Sequence, residues 1–130
     1  MRTLYDTTAL EKALKQILRN GEVSTNVYDD RPKADNSIVN DFAVVKVTGT
    51  VQDTQAYGRC MVAISLFARD VAGRKNTDKL SYMYGKLMEA MPYETEKYLF
   101  DSTPQLIGDT GDSYGFHARV IKFNTIIKAV

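Results

Sequence analysis

The sequence predicts an α+β fold, with one mixed or antiparallel sheet, two helices packed on one of its faces, and the order α-β-β-β-α-β-β-β. Three observations lead there. Two segments carry their apolar residues on a single helical stripe, the other ordered segments alternate with period two, and turn-forming residues separate them. The chain has 130 residues, of which 44% are apolar and 25% charged, values that suit a single domain over 1–130.

The first helix opens at Thr8-Ala9-Leu10-Glu11, which has the form of a capping box. Leu10, Ala13, Leu14, Ile17 and Leu18 then make one apolar stripe. Lys15 and Arg19 suit the C-terminal end of the helix dipole, and Asn20-Gly21 supplies the stop. A short strand is expected over about Val23 to Tyr28. The polar segment from Asp29 to Asp41, broken by Pro32, is long for a loop, and such loops are usually functional or mobile.

Two long strands follow as a hairpin over about 42–69. In the first, Ala43, Val45, Val47 and Val51 share a face. In the second, Cys60, Val62, Ile64, Leu66 and Ala68 form an apolar face, while Tyr57, Arg59, Met61, Ala63, Ser65, Phe67 and Arg69 make a mixed one. The length of the hairpin leaves room for it to project beyond the body. Asn76 is placed to cap a second helix with Asp78 in its first turn, and Leu80, Met83, Tyr84, Leu87, Met88 and Met91 form its stripe up to Pro92. Short strands are expected in 97–100 and 104–108. The last strand, from Tyr114 on, changes apolar phase at Val120-Ile121, which predicts a bulge.

Composition narrows function by exclusion. With 17 basic and 16 acidic residues the net charge is +1, so nonspecific nucleic-acid binding is not expected. No run of about 18 apolar residues exists to cross a membrane. Cys60 is the one cysteine and reads as a small buried hydrophobe.

Leu106-Ile107-Gly108-Asp109-Thr110-Gly111 resembles the catalytic loop of a retroviral-type aspartic protease. Asp109 has only 21 residues after it, too few for the flap and further strands such an enzyme needs. The stretch reads instead as an acidic turn between strands. Asp109 and Asp112 are too few carboxylates for a calcium site. His117, the one histidine, could serve a hydrolase only together with Ser113, Ser65 or Cys60. No cofactor or metal is expected, and the chain reads as non-enzymatic.

Charge is unevenly spread. Arg69, Arg74 and Lys75 lie in a basic loop, and Asp109 and Asp112 in an acidic turn. Such loops could register a head-to-tail contact between copies. On the mixed hairpin face Tyr57, Met61 and Phe67 have no evident cover within the chain.

The strand ending Asn26-Val27-Tyr28-Asp29-Asp30-Arg31-Pro32, the long strand pair closing on "MVAISLFARD", and the one-faced helix "KLSYMYGKLMEAM" together resemble the tail terminator (tail completion) proteins of long-tailed bacteriophages. The resemblance covers most of residues 7–92. It implies a structural virion protein, present in the host cytoplasm during assembly. Such a protein forms a hexameric ring that caps the tail tube and presents a surface to the head connector. On this reading Tyr57, Arg59, Met61, Phe67 and Arg69 make subunit contacts, and Arg74 and Lys75 meet Asp109 and Asp112 of the next copy. Asp29, Asp30, Arg31, Lys33 and Asp35 meet the tube or connector. A head-tail connector or neck protein, a small α+β hydrolase and a nucleic-acid-binding domain are the competing readings.

Overall fold

The structure is a computed structural model in which residues 5–29, 39–54, 56–112 and 114–128 are described. Helices α1 (Thr7–Asn20) and α2 (Thr77–Ala90) lie on one face of a six-stranded sheet. The strands are β1 (Val27–Tyr28), β2 (Asp41–Asp53), β3 (Tyr57–Arg69), β4 (Tyr98–Phe100), β5 (Gln105–Gly111) and β6 (Phe116–Lys128). Across the sheet they run β1-β2-β3-β6-β4, with β5 also paired to β6, so that β4 and β5 share one flank of β6. The β1–β2 pair is parallel and the other pairings are antiparallel. This is the expected α+β class and element order.

Both helices form where their stripes predict, with local differences. The N-cap of α1 is Asp6, whose side chain accepts the Ala9 N–H at 3.1 Å, and not Thr8, which lies inside the helix. Glu11 is therefore free of capping, and its Oε2 accepts the Val47 N–H of β2 at 2.9 Å. Arg19 lies in the last turn of α1 as expected, and its Nη2 donates to the Val27 carbonyl at 2.9 Å, which ties β1 to the helix. Asn76 caps α2 through the Lys79 N–H, as expected.

Gly21 follows α1 with an ordinary negative φ, so its role is not conformational. A Cβ there would collide with the Ala90 side chain, and the glycine lets the end of α1 approach the end of α2.

The core between helices and sheet contains Leu10, Leu14 and Leu18 of α1 and Met83 and Leu87 of α2. These close on Val45, Val62, Ile64, Leu66, Ile121 and Phe123. Each such side chain removed from water contributes about 1.5–3 kcal/mol. A second, smaller cluster occupies one end of the opposite face: Phe42, Val44, Phe67, Phe116 and Ala118.

Three expectations are corrected. β6 pairs with β3 in unbroken register from Arg69↔Phe116 to Tyr57↔Lys128, so it has no bulge at Val120-Ile121. Its apolar phase changes because Phe116 and Ala118 fill the second cluster while Ile121, Phe123 and Ile127 fill the main core. The same pairing flanks β3 along its whole length, so the β2–β3 hairpin does not project on its own. In the first short strand only Val27 and Tyr28 pair; Ser24 instead donates its hydroxyl to Asp41.

Candidate assembly surface

Away from the second cluster, no helix covers the other sheet face among the described residues. The register places its side chains in rows across β2, β3 and β6. Val44, Ser65 and Val120 form one row, Lys46, Ala63 and Lys122 the next, then Thr48, Met61 and Asn124. A bulge in β2 between Thr48 and Gln52 precedes the row of Gln52, Arg59 and Ile126. Lys46 and Arg59 are exposed, and Met61, Ala63, Val120, Lys122 and Ile126 are half-buried. The face thus mixes half-buried apolar side chains with cations and the uncharged polar groups Ser65, Thr48, Asn124 and Gln52. Tyr57 and Met61 sit on it half-exposed, as the alternation predicts.

Phe67 and Arg69 sit differently from that expectation. Phe67 is only 9% exposed. Its ring stacks on Phe42 with centroids 4.4 Å apart and planes 9° from parallel, and Phe116 packs edge-on to Phe42 at 5.2 Å. Arg69 donates from Nε and Nη2 to the Val39 carbonyl, at 3.1 and 2.7 Å, and its guanidinium lies 4.6 Å from the centre of the Phe116 ring. Phe67 therefore has cover within the chain after all, and Arg69 closes that cover.

The charged loops touch each other within one chain, through Lys75 and Asp109. β5 bulges between Ile107 and Thr110, which sets Gly108 and Asp109 opposite Arg119. The Asp109 carboxylate accepts from Arg119 Nε at 2.8 Å and from Nη2 at 2.9 Å, and Lys75 Nζ lies 3.3 Å away. Its side chain is 8% exposed. The Arg119 hydrogen bonds hold the Asp109 carboxyl below its ordinary range, against the opposing effect of burial, and Asp109 in turn raises Arg119. Asp112 Oδ1 accepts the N–H groups of Tyr114 and Phe116, at 2.8 and 3.1 Å, and so shapes the turn into β6. Arg74 remains exposed.

His117 is held by Asp70, with Nδ1 and Oδ1 2.6 Å apart, and the Nε2 side of its ring lies against Gly111. Ser65 points to the opposite sheet face, since it pairs with Val120 while His117 pairs with Ala68. Cys60 shares the face of His117 but pairs with Thr125, about 26 Å along the strand at ~3.3 Å per residue. Burial raises the Cys60 thiol above its ordinary value. Ser113 lies outside the described residues, as do Asp30, Arg31, Lys33 and Asp35 of the long loop. Asp29 is exposed and pairs with Lys15 at 3.4 Å. Among the described residues no three His, Cys, Asp or Glu side chains converge on a point that would hold a metal.

Two features escaped the sequence. At the C-terminal end of α2, Met88, Met91, Pro92, Tyr93 and Phe123 line a groove of about 270 Å³, with Glu89, Asp101 and Ser102 at its sides. Beyond the N-terminal end of α2, Val71 and Arg74 close a two-residue hairpin through reciprocal backbone hydrogen bonds of 2.8 and 3.0 Å. The string Val71-Ala72-Gly73-Arg74 is the signal for the hairpin, because Ala72 and Gly73 both take positive φ. The groove had no local signal, since Phe123 reaches it from β6 and Asp101 from just beyond β4.

No family model and no curated protein matches the sequence. Solved structures do match in fold. A chain of the structure described as "Virion of native gene transfer agent (GTA) particle" is similar over 97% of this chain and 100% of its own, with a TM-score of 0.61 at 13% identity. A second solved chain is similar over 95% of this chain and 94% of its own, with a TM-score of 0.63 at 9% identity.

Proposed function

We propose that the chain is a structural subunit of a phage or phage-like particle, a tail terminator that assembles into a six-membered ring on the end of the tail tube and joins it to the head connector. The observation that carries this reading is the full-length likeness to a chain of a virion particle. The open sheet face adds physical support. Half-exposed Met61, Val120 and Ile126 beside Lys46, Arg59 and Lys122 suit a protein partner better than solvent. Two such faces cannot pack on each other without opposing like charges, so a ring contact is heterologous: this face meets a different surface of the next copy.

On this reading Tyr57, Arg59 and Met61 contact the neighbouring subunit directly, while Phe67 and Arg69 fix the C-terminal end of β3 on the same face. Asp29 and the segment with Asp30, Arg31, Lys33 and Asp35 face the tube or the connector. Asp109, Asp112 and Lys75 act within the subunit by fixing the β5–β6 end.

Labelling purified particles with an antibody to the chain tests the assignment. A single band of label at the head-tail junction is the expected result. Particles without label would overturn the reading, and label on the head side after tails are detached would assign the chain to the connector instead.

A further inference from the structure

A basic turn precedes the N-terminal end of α2, and an acid-flanked apolar groove lies at its C-terminal end. This turn, the tip, is the hairpin of Val71, Ala72, Gly73 and Arg74. Val71 is 62% exposed, a large apolar side chain held in solvent on a hydrogen-bonded turn. Arg74 beside it is exposed. The neighbouring Lys75 reaches back to Asp109, which leaves Arg74 as the outward charge of the tip. The groove has an apolar lining from Met88, Met91, Pro92, Tyr93 and Phe123, and its charged lining residues are Glu89 and Asp101, with no cation among them. Tyr93 at its mouth is 71% exposed.

We infer that the Val71–Arg74 tip of one copy docks in the α2 C-terminal groove of the next. Val71 enters the methionine-lined pocket and Arg74 pairs with Glu89 and Asp101. The inference rests on the proposed ring and supplies its register. Charge complementarity selects a second copy as the occupant: the tip is cationic with an apolar point, the groove is anionic with an apolar floor, and both belong to this chain. The hydrogen bond from the Thr103 N–H holds the Asp101 carboxyl below its ordinary range. A 14-residue helix spans about 21 Å, which keeps tip and groove of one chain apart and makes the contact head-to-tail. A four-residue tip covers much less than the ~800 Å² per partner of a standard interface. It therefore pins the register of a contact that the open sheet face completes.

Cross-linking between single-cysteine additions tests this in the full-length chain. Val71→Cys and Tyr93→Cys are both at exposed positions, and buried Cys60 does not compete. Under mild oxidation a mixture of the two variants is expected to form the disulfide-linked mixed dimer at least roughly tenfold faster than a mixture of Val71→Cys with Tyr82→Cys, which places the thiol mid-helix. Adding Arg74→Glu to the Val71→Cys chain should remove that advantage, and adding Glu89→Arg to the Tyr93→Cys chain should restore it. Equal rates for the two mixtures would overturn the docking. If the rates are equal while the wild-type chain self-associates, the contact is wrong and the ring reading survives. If the wild-type chain is also monomeric, alone and with tail tubes, both fail.

Discussion

Asp109 and Arg119 form a bidentate ion pair, 2.8 and 2.9 Å between heavy atoms, from the bulge in β5 to the facing strand β6. Lys75 adds a second cation from the loop before α2, so one carboxylate ties three segments of the chain together. Its charge is matched inside the subunit. Removing the carboxylate leaves a guanidinium short of its partner. Asp109→Ala is expected to cost roughly 3 kcal/mol of stability, read as a lower urea midpoint with an unchanged slope, while the reversal Arg74→Glu leaves stability within about 0.5 kcal/mol.

The same pair sets an acid limit. Asp109 has a lower pKa folded than unfolded, so the stability it contributes is fully present above the unfolded carboxylate value of about 3.9 and is lost as pH falls through the depressed folded value. Urea unfolding of wild type and Asp109→Asn between neutral pH and pH 2 should show the largest gap near neutrality. The gap should narrow only below about pH 4. A gap that closes well above that pH would contradict the assignment.

Gly21 offers a purely steric test. Its φ would accept alanine, but the added Cβ meets Ala90 of α2. Gly21→Ala should lower stability by about 1–3 kcal/mol, and the compensating change Ala90→Gly should recover part of it. Without that recovery, the close approach of the two helix ends is not what demands glycine.

The two ends of the β3 face should separate stability from assembly. Phe67→Ala removes a buried stacked ring and is expected to cost about 3–5 kcal/mol. Met61→Glu and Arg59→Glu alter half-exposed and exposed positions, and should leave the melting curve nearly unchanged while weakening self-association measured by light scattering.

What could be read in the sequence followed from periodicity. Leu10, Leu14 and Leu18, and Met83 and Leu87, occupy the core as their spacing requires, and Asn76 caps α2. The misreadings came from residues whose role depends on a partner distant in sequence. Phe67 and Met61 alternate identically along β3, yet Phe42 and Phe116 cover one and not the other. Asp109 resembled a free turn carboxylate because Arg119 reaches it through strand register and Lys75 from the loop before α2, neither through sequence proximity. Glu11 fitted a capping box, but Asp6 takes the cap and Glu11 reaches β2.

The mass of the assembled species tests the central claim most directly. The purified chain would be measured by native mass spectrometry, alone and after incubation with tail tubes from particles that lack it. The account predicts a closed species of six copies. A monomer under both conditions would contradict it.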